Sequence, residues 1–121
     1  MILKKIAIFD DDEGILSICS YILEDKGWKV YTFTNCNRII GQVAEIMPDV
    51  IFMDNSIPDL GGLTATQCLK ANPTLASIPV IYFSANSDIE QLAATAKADN
   101  FLAKPFDLDA LEEIIEKVLK Q

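Results

Sequence analysis

Five short apolar runs recur along the chain: Ile2 to Phe9, Trp28 to Phe33, Val50 to Met53, Val80 to Phe83 and Phe101 to Ala103. In three of them, reading IAIF, VIFM and VIYF, every position is apolar. Strands that alternate in polarity keep one face in water, whereas uninterrupted apolar runs belong to parallel sheets covered by helices on both faces. The stretches between the runs carry helical periodicity. Ile15, Ile18, Cys19, Ile22 and Leu23 share one face of a first helix that stops near Gly27. A second, over Cys36 to Met47, buries Ile39, Ile40, Val43 and Ile46 and ends before Pro48. A third, from Gly61-Gly62 to Pro73, has the weakest pattern. The fourth opens on Ser87-Asp88-Ile89-Glu90, a capping box in which Ser87 and Glu90 satisfy each other's backbone donors. The fifth is capped by Asp107 and carries Leu108, Leu111, Ile114, Ile115, Val118 and Leu119 as its core stripe. Alternating β and α units of this kind predict an open, doubly wound α/β sheet with right-handed crossovers. With no linker, repeat or low-complexity stretch, residues 1–121 are expected to form a single domain.

In an open α/β sheet, ligands bind beyond the carboxyl ends of the strands, at the point where strand order reverses. Strand one ends in Asp10-Asp11-Asp12, strand three in Asp54, strand four in Ser84-Ala85 and strand five in Lys104-Pro105. Taken singly, each is an ordinary turn, cap or surface residue. Together they would crowd carboxylates onto one rim, and such a group stays ionised only with a compensating cation. Lys104 supplies one positive charge, and a hard divalent metal held by carboxylate oxygens would supply the rest, which suits Mg²⁺ or Mn²⁺. Metal, lysine, hydroxyl and carboxylate together are equipment for phosphoryl transfer.

Composition narrows the field. The chain is 50% hydrophobic and 23% charged, as expected of a packed globular core. Ten Lys and Arg against eighteen Asp and Glu leave a net charge of −8, which disfavours direct contact with nucleic acid or an anionic membrane. No apolar run approaches the length of a membrane span, and MILKKIAIFDDD lacks the layout of a signal peptide. Cys19, Cys36 and Cys68 are isolated and read as reduced thiols, so a cytoplasmic location is expected. The absence of histidine excludes His-based general base catalysis, His-ligated zinc and a phosphohistidine carrier role for this chain.

Four motifs in order, the acidic pair in IFDDDE, the Asp in PDVIFMDNSIPDLGG, the hydroxyl in IPVIYFSAN and the lysine in ADNFLAKPF, resemble the receiver domain of two-component response regulators, end to end. The resemblance implies a flavodoxin-like (βα)5 fold with strand order 2-1-3-4-5. It also implies that Asp54 accepts a phosphoryl group from a phosphohistidine on a sensor histidine kinase or histidine phosphotransfer protein. By the same resemblance Asp10 and Asp11 organise Mg²⁺, with Asp11, Asp54 and the backbone carbonyl of Ser56 as direct ligands. Ser84 corresponds to the switch hydroxyl, Lys104 pairs with a phosphoryl oxygen, and Phe101 corresponds to the aromatic that moves inward as Ser84 is recruited. Ser56 and Asn86 occupy the positions that tune autodephosphorylation. Both are small, so water is not sterically excluded and no unusually long phosphoryl lifetime is expected. Asp12 is left to cap the first helix, with Glu13 favouring its N-terminal end. Pro105 matches a proline that follows a cis peptide bond, and Pro58 and Gly62 match the loop after the acceptor strand, where glycine permits a tight turn. A downstream protein target would read the face formed by the fourth helix, fifth strand and fifth helix, to which the new charge couples through the loop between the fourth strand and fourth helix.

The chain departs from the family at Gly61, which replaces the usual Asp, and at Lys97, which replaces the Gly that ends the fourth helix. A lysine in a left-handed cap costs about 1 kcal/mol relative to Gly, so a different end to that helix is expected. The segment from Ser84 to Lys104 is also slightly shorter than usual. Two rival readings compete. FDDDEG fits the opening motif of haloacid dehalogenase-type phosphatases, with Asp10 as nucleophile and Asp12 as general acid. That reading lacks a later acidic motif and gives Asp54 no role. The second rival is a flavodoxin-like binding module or a degenerate receiver used only as a protein-interaction scaffold. The intact set of Asp10, Asp11, Asp54, Ser84 and Lys104 argues against degeneracy, and a flavin module would want a phosphate-cradling loop after strand one, where DDDEG would repel phosphate instead. Because the chain ends at Gln121 after its last helix, no output domain is expected within it, whether it acts alone or belongs to a larger protein.

Overall fold

The computed structural model describes residues 4–120. Five strands alternate with five helices: β1 (Lys5–Phe9), α1 (Glu13–Asp25), β2 (Lys29–Phe33), α2 (Ile39–Ile46), β3 (Val50–Asp54), α3 (Gly61–Ala71), β4 (Val80–Ser84), α4 (Ile89–Ala96), β5 (Asn100–Ala103) and α5 (Leu108–Leu119). The strands form one parallel sheet in the order β2-β1-β3-β4-β5. This is the doubly wound, flavodoxin-like (βα)5 arrangement, with its switch point between β1 and β3. The expected extension of the first strand back to Ile2 lies outside the described residues.

The uninterrupted apolar runs are explained by burial on both faces. β3 and β4 are buried at all five positions. Residues alternate across the sheet: Ala7, Phe9, Ile51, Met53, Val80 and Tyr82 pack against α2, α3 and α4. Ile6, Ile8, Val50, Phe52, Ile81 and Phe83 pack against α1 and α5. The edge strand β2, by contrast, is only partly covered. Asp54 and Ser84 are not loop residues after their strands but the last residues of them, paired in register with Phe83 and Ala103 respectively.

The helix ends differ from expectation in instructive ways. Asp12 caps α1 as expected, its carboxylate accepting from the Gly14 and Ile15 amides at 2.9 and 3.3 Å. Asp107 likewise caps α5 through the Ala110 amide at 2.8 Å. The capping box at Ser87 does not form. Helix α4 begins one residue later, with Asp88 at its N-cap and no side-chain cap bond, which leaves Glu90 too near the cap to reach back. Helix α2 starts at Ile39, while Cys36 is buried outside it with its thiol against the Pro58 carbonyl. Ile18 and Leu108, assigned to core stripes, are 58% and 42% exposed, because Leu16, Cys19, Leu23 and Leu111, Ile115, Val118 carry the burial instead. Helix α4 ends in the left-handed cap usual with glycine, and Lys97 adopts it at φ 64°.

Glycine acts in two ways in the loop after β3. Gly61 takes φ 82° and makes the turn. Gly62 does not turn the chain but lets it approach: a Cβ there would lie 2.3 Å from the Asp54 carbonyl oxygen and 2.9 Å from Asn55 Cα. Both obstacles are backbone, so relief would require moving the end of β3. Gly62→Ala is therefore expected to destabilise the fold by about 1–3 kcal/mol, the usual cost of overpacking, as read by chemical denaturation.

Candidate functional site

The carboxyl rim of the sheet is where the candidate residues were expected to converge, and Asp10, Asp54 and Lys104 are in direct contact there. Asp10 and Asp54 extend the strand rows that face α1 and α5, and Lys104 extends the matching row of β5. The Lys104 ammonium lies 2.6 Å from Asp10 Oδ2 and 3.0 Å from Asp54 Oδ1. Asp10 is 1% exposed and Asp54 6%. Beneath the ammonium, 4.4 Å away, is the ring of Phe83, whose face favours a cation. Lys104 follows β5 with its amide bonded to the Ser84 carbonyl at 2.9 Å, and its bond to Pro105 is cis, as expected.

Backbone donors hold the remaining oxygens. The Asp12 amide donates to Asp10 Oδ1 at 2.9 Å, and the Ser56 amide to Asp54 Oδ2 at 3.1 Å. Ser56 itself is exposed in the loop. Asp11 is exposed, yet it offers a carboxylate oxygen that lies with one from Asp10 and one from Asp54 within 4.8 Å of one another. Three carboxylates against one ammonium leave a formal charge of −2 (−3 + 1). An all-oxygen set of this charge fits a hard divalent cation such as Mg²⁺. Ser84, buried at the end of β4, accepts from the Asn86 amide at 3.1 Å, and the Asn86 side chain is on the exposed loop beyond. Phe101, half-buried, packs on the α2-α3-α4 side beside its register partner Tyr82. Asp12 stands apart from the cluster, exposed and engaged in capping α1.

Electrostatics at the rim are set by burial and by the two like charges. Burial pushes the Asp54 carboxyl above the usual carboxylate range; the Lys104 hydrogen bond pulls it down and the neighbouring Asp10 charge pushes it up again. Burial pulls Lys104 down, but the hydrogen bonds and charges of Asp10 and Asp54 together outweigh it, and the ammonium is held more firmly than in water. Below the site, burial and then the Asp10 charge push the Cys19 thiol up to about 11, leaving it a packing residue rather than a nucleophile.

Three contributors were not found by reading the sequence. Phe83 appeared only as part of an apolar run, not as a platform for Lys104. Asn55 accepts a hydrogen bond from the buried Tyr82 hydroxyl, across 27 residues of sequence. Gly62 appeared as a turn residue rather than as a point of backbone contact. The first two depend on strand register and the third on the path of the loop back onto the end of β3, and no local signal in the chain specifies either.

The family model for the response regulator receiver domain matches residues 6–116. The chain belongs to that family. Among curated proteins, this receiver domain is 28% identical over 120 residues to the regulatory protein AtoC of Escherichia coli strain K12, covering 98% of this chain and 26% of that protein. It is 30% identical over 121 residues to hybrid signal transduction histidine kinase C of Dictyostelium discoideum, covering 93% of this chain and 10% of that one. The chain thus spans a quarter or less to about half of the curated relatives it matches. Solved structures share the fold. The receiver domain of sensor histidine kinase PA1611 from Pseudomonas aeruginosa PAO1 superposes with a TM-score of 0.89 at 23% identity, covering 99% of this chain and all of that one. That crystal structure has a magnesium ion coordinated in its active-site cleft. Chemotaxis response regulator CheY4 of Vibrio cholerae gives 0.89 at 22% identity, covering 98% and 100%. As a receiver domain, the chain is part of the phosphoacceptor signalling machinery of two-component systems. Among the described residues, no helix is long and apolar enough to cross a membrane.

The raised pKa of Asp54 has a consequence for stability. The folded protein holds this proton more readily than the unfolded chain, so its contribution is full below the ordinary carboxylate pKa. It is lost as pH rises through the higher folded value. At neutral pH Asp54 is therefore a destabilising charge. Asp54→Asn is expected to be more stable than the wild type at pH 7 without divalent metal, and the gap is expected to close on acidification through the carboxylate range. Urea titrations at a series of pH values check this; a gap that widened toward low pH would contradict the assignment.

Proposed function

We propose that Asp54 is the phosphoacceptor of this receiver domain, that Asp10 and Asp11 organise a Mg²⁺ ion beside it, and that phosphorylation is read by a protein partner. The observation that carries the reading is the Lys104 ammonium bridging the buried carboxylates of Asp10 and Asp54. In the transfer, an Asp54 oxygen attacks the phosphorus of a phosphohistidine on a sensor histidine kinase or histidine phosphotransfer protein. A P–O bond forms as the P–N bond breaks, and the electron pair leaves with the imidazole of the donor. Bound Mg²⁺ (or Mn²⁺), held by Asp11, Asp54 and the Ser56 carbonyl with Asp10 alongside, would neutralise charge on the transferring oxygens. Lys104 contributes the second cation and fixes the orientation of the Asp54 carboxylate before attack. Ser56 through its amide holds the other oxygen of Asp54.

After transfer, Ser84 is the hydroxyl available at the neighbouring strand end, and its recruitment with Phe101 is the step that carries the change to the α4-β5-α5 face. Ser56 and Asn86, both exposed, leave room for hydrolytic water and set the lifetime of the acyl phosphate. With a net charge of −8, the output contact is with protein rather than nucleic acid or membrane, and three free thiols suit a cytoplasmic setting. The phosphatase alternative is disfavoured by Asp12, whose carboxylate is occupied as the α1 cap instead of facing Asp10 as a general acid would.

Incubation with acetyl phosphate and Mg²⁺ followed by intact mass measurement tests the acceptor. A phosphate adduct is expected that disappears in Asp54→Asn and with a chelator. An adduct that survived this change and required Asp10 would instead favour the phosphatase. The metal assignment separates two adjacent acids: Asp11→Ala is expected to weaken Mg²⁺ binding at least tenfold (about 1.4 kcal/mol) in a calorimetric titration, and Asp12→Ala to cost about 1 kcal/mol of stability with little change in metal affinity. The reverse order would overturn the ligand set.

A further inference from the structure

Strand alternation puts Asp54 and Asn55 on opposite sides of the sheet, and Asn55 is unusually well anchored for a residue at a strand end. Its amide bonds the Phe83 carbonyl at 3.3 Å, its carbonyl accepts from the Gly62 amide at 3.0 Å, and its side-chain oxygen accepts from the Tyr82 hydroxyl. Tyr82 is among the largest fully buried side chains, packed in the core between the sheet and α2, α3 and α4. Nothing in packing alone requires a hydroxyl there, since the same core accommodates phenylalanine at Phe9 without one. Burial, and then the charge of Asp54, push the Tyr82 phenol up to about 12, so it remains a donor across the working range of the protein.

We infer that Tyr82 is a positioning residue for phosphoryl transfer, acting through Asn55 to fix the peptide that joins Asn55 to the acceptor Asp54. The carbonyl of this peptide is the one against which Gly62 is pressed. Rotation of Asn55 would turn that peptide plane and swing the Asp54 carboxylate relative to Lys104 and the metal-holding acids. The loop from Asn55 to Gly62 is thus held from three sides: by β4 through Phe83, by α3 through Gly62 and by the core through Tyr82. The inference rests on the reading of Asp54 as acceptor. Tyr82 touches no reacting atom itself.

The test uses the rate of adduct formation with acetyl phosphate as a function of Mg²⁺ concentration. Tyr82→Phe keeps the ring in the core and removes only the donor. It is expected to slow phosphorylation about tenfold at saturating Mg²⁺, within the hundredfold that a misplacement near 1 Å produces, while the half-saturating Mg²⁺ concentration stays the same. Asn55→Ala is expected to slow it by a similar factor. The double variant should be no slower than the slower single, because both remove one link. Tyr21→Phe, which removes an exposed hydroxyl on α1, should leave the rate unchanged. A merely structural hydroxyl would lower the melting temperature of Tyr82→Phe without moving this rate, and a folded Tyr82→Phe within twofold of wild type would overturn the inference. So would independent, multiplying effects in the double variant. Failure of the acceptor reading looks different: wild type would then form no adduct that Asp54→Asn abolishes.

Discussion

Two buried carboxylates share one ammonium at the rim of the sheet, and the rest of the architecture serves to hold them there. Asp10, Asp54 and Lys104 come from β1, β3 and the end of β5, separated by up to 94 residues of sequence. A pair of like charges this close would repel and take up a proton if left alone. One lysine offsets part of the repulsion, and exposed Asp11 adds to the deficit of positive charge. The site is thereby left under-neutralised in a way that a divalent cation completes. The charge placement proposed for phosphoryl chemistry is also the one that raises the Asp54 carboxyl, which is the trade-off expected of functional sites.

Holding that arrangement is a matter of strand order and backbone contact more than of the side chains themselves. With β1 and β3 adjacent at the switch point, Asp10 and Asp54 start from neighbouring strand ends. Lys104 reaches across the intervening β4 from the edge strand, over the ring of Phe83. Each strand end is tied to its neighbour: the Asp10 amide to the Phe33 carbonyl, the Asn55 amide to Phe83 and the Lys104 amide to Ser84. Asp12, by capping α1, turns the chain away from the rim directly after Asp10 and Asp11.

The sequence discloses the sheet and the site because both write strong local signals. Runs such as VIFM and VIYF have no polar position to spare, and an acid, a hydroxyl or a lysine directly after such a run marks the carboxyl rim. Strand order and the choice of Asp11 over Asp12 as a metal-holding acid came from family resemblance; alternation alone would have paired Asp10 with Asp12. What stayed illegible was what packing decides. Ile18 and Leu108 have the right period but lie just off the buried stripe. Ser87 and Asp88 are equally good caps, and a one-residue shift in the start of α4 selected Asp88 without using its side chain. The Tyr82–Asn55 and Phe83–Lys104 contacts need the register of β3 against β4 and β5, which only the assembled sheet defines.

Lys97 shows how firmly that register is imposed. A lysine resists the left-handed conformation, and a different helix end would relieve it, yet α4 ends there at φ 64°. The reason lies in the turn that follows. The Asp99 carboxylate accepts from the Val80 amide at 2.7 Å and from the Lys70 ammonium at 2.6 Å, and the Asp99 amide bonds the Val80 carbonyl at 2.9 Å. Lys70 also donates to the carbonyls of Ala76 and Ile78, tying α3, the loop before β4 and the entry to β5 into one knot. With Asp99 fixed just before β5 and Ala96 buried at the end of α4, the two residues between them have little choice of backbone angle. A strand entered one residue early or late would present Lys104 to the wrong face. Lys97 before β5 and Lys104 after it therefore flank the same strand, and the local preference of one lysine yields to the placement of the other.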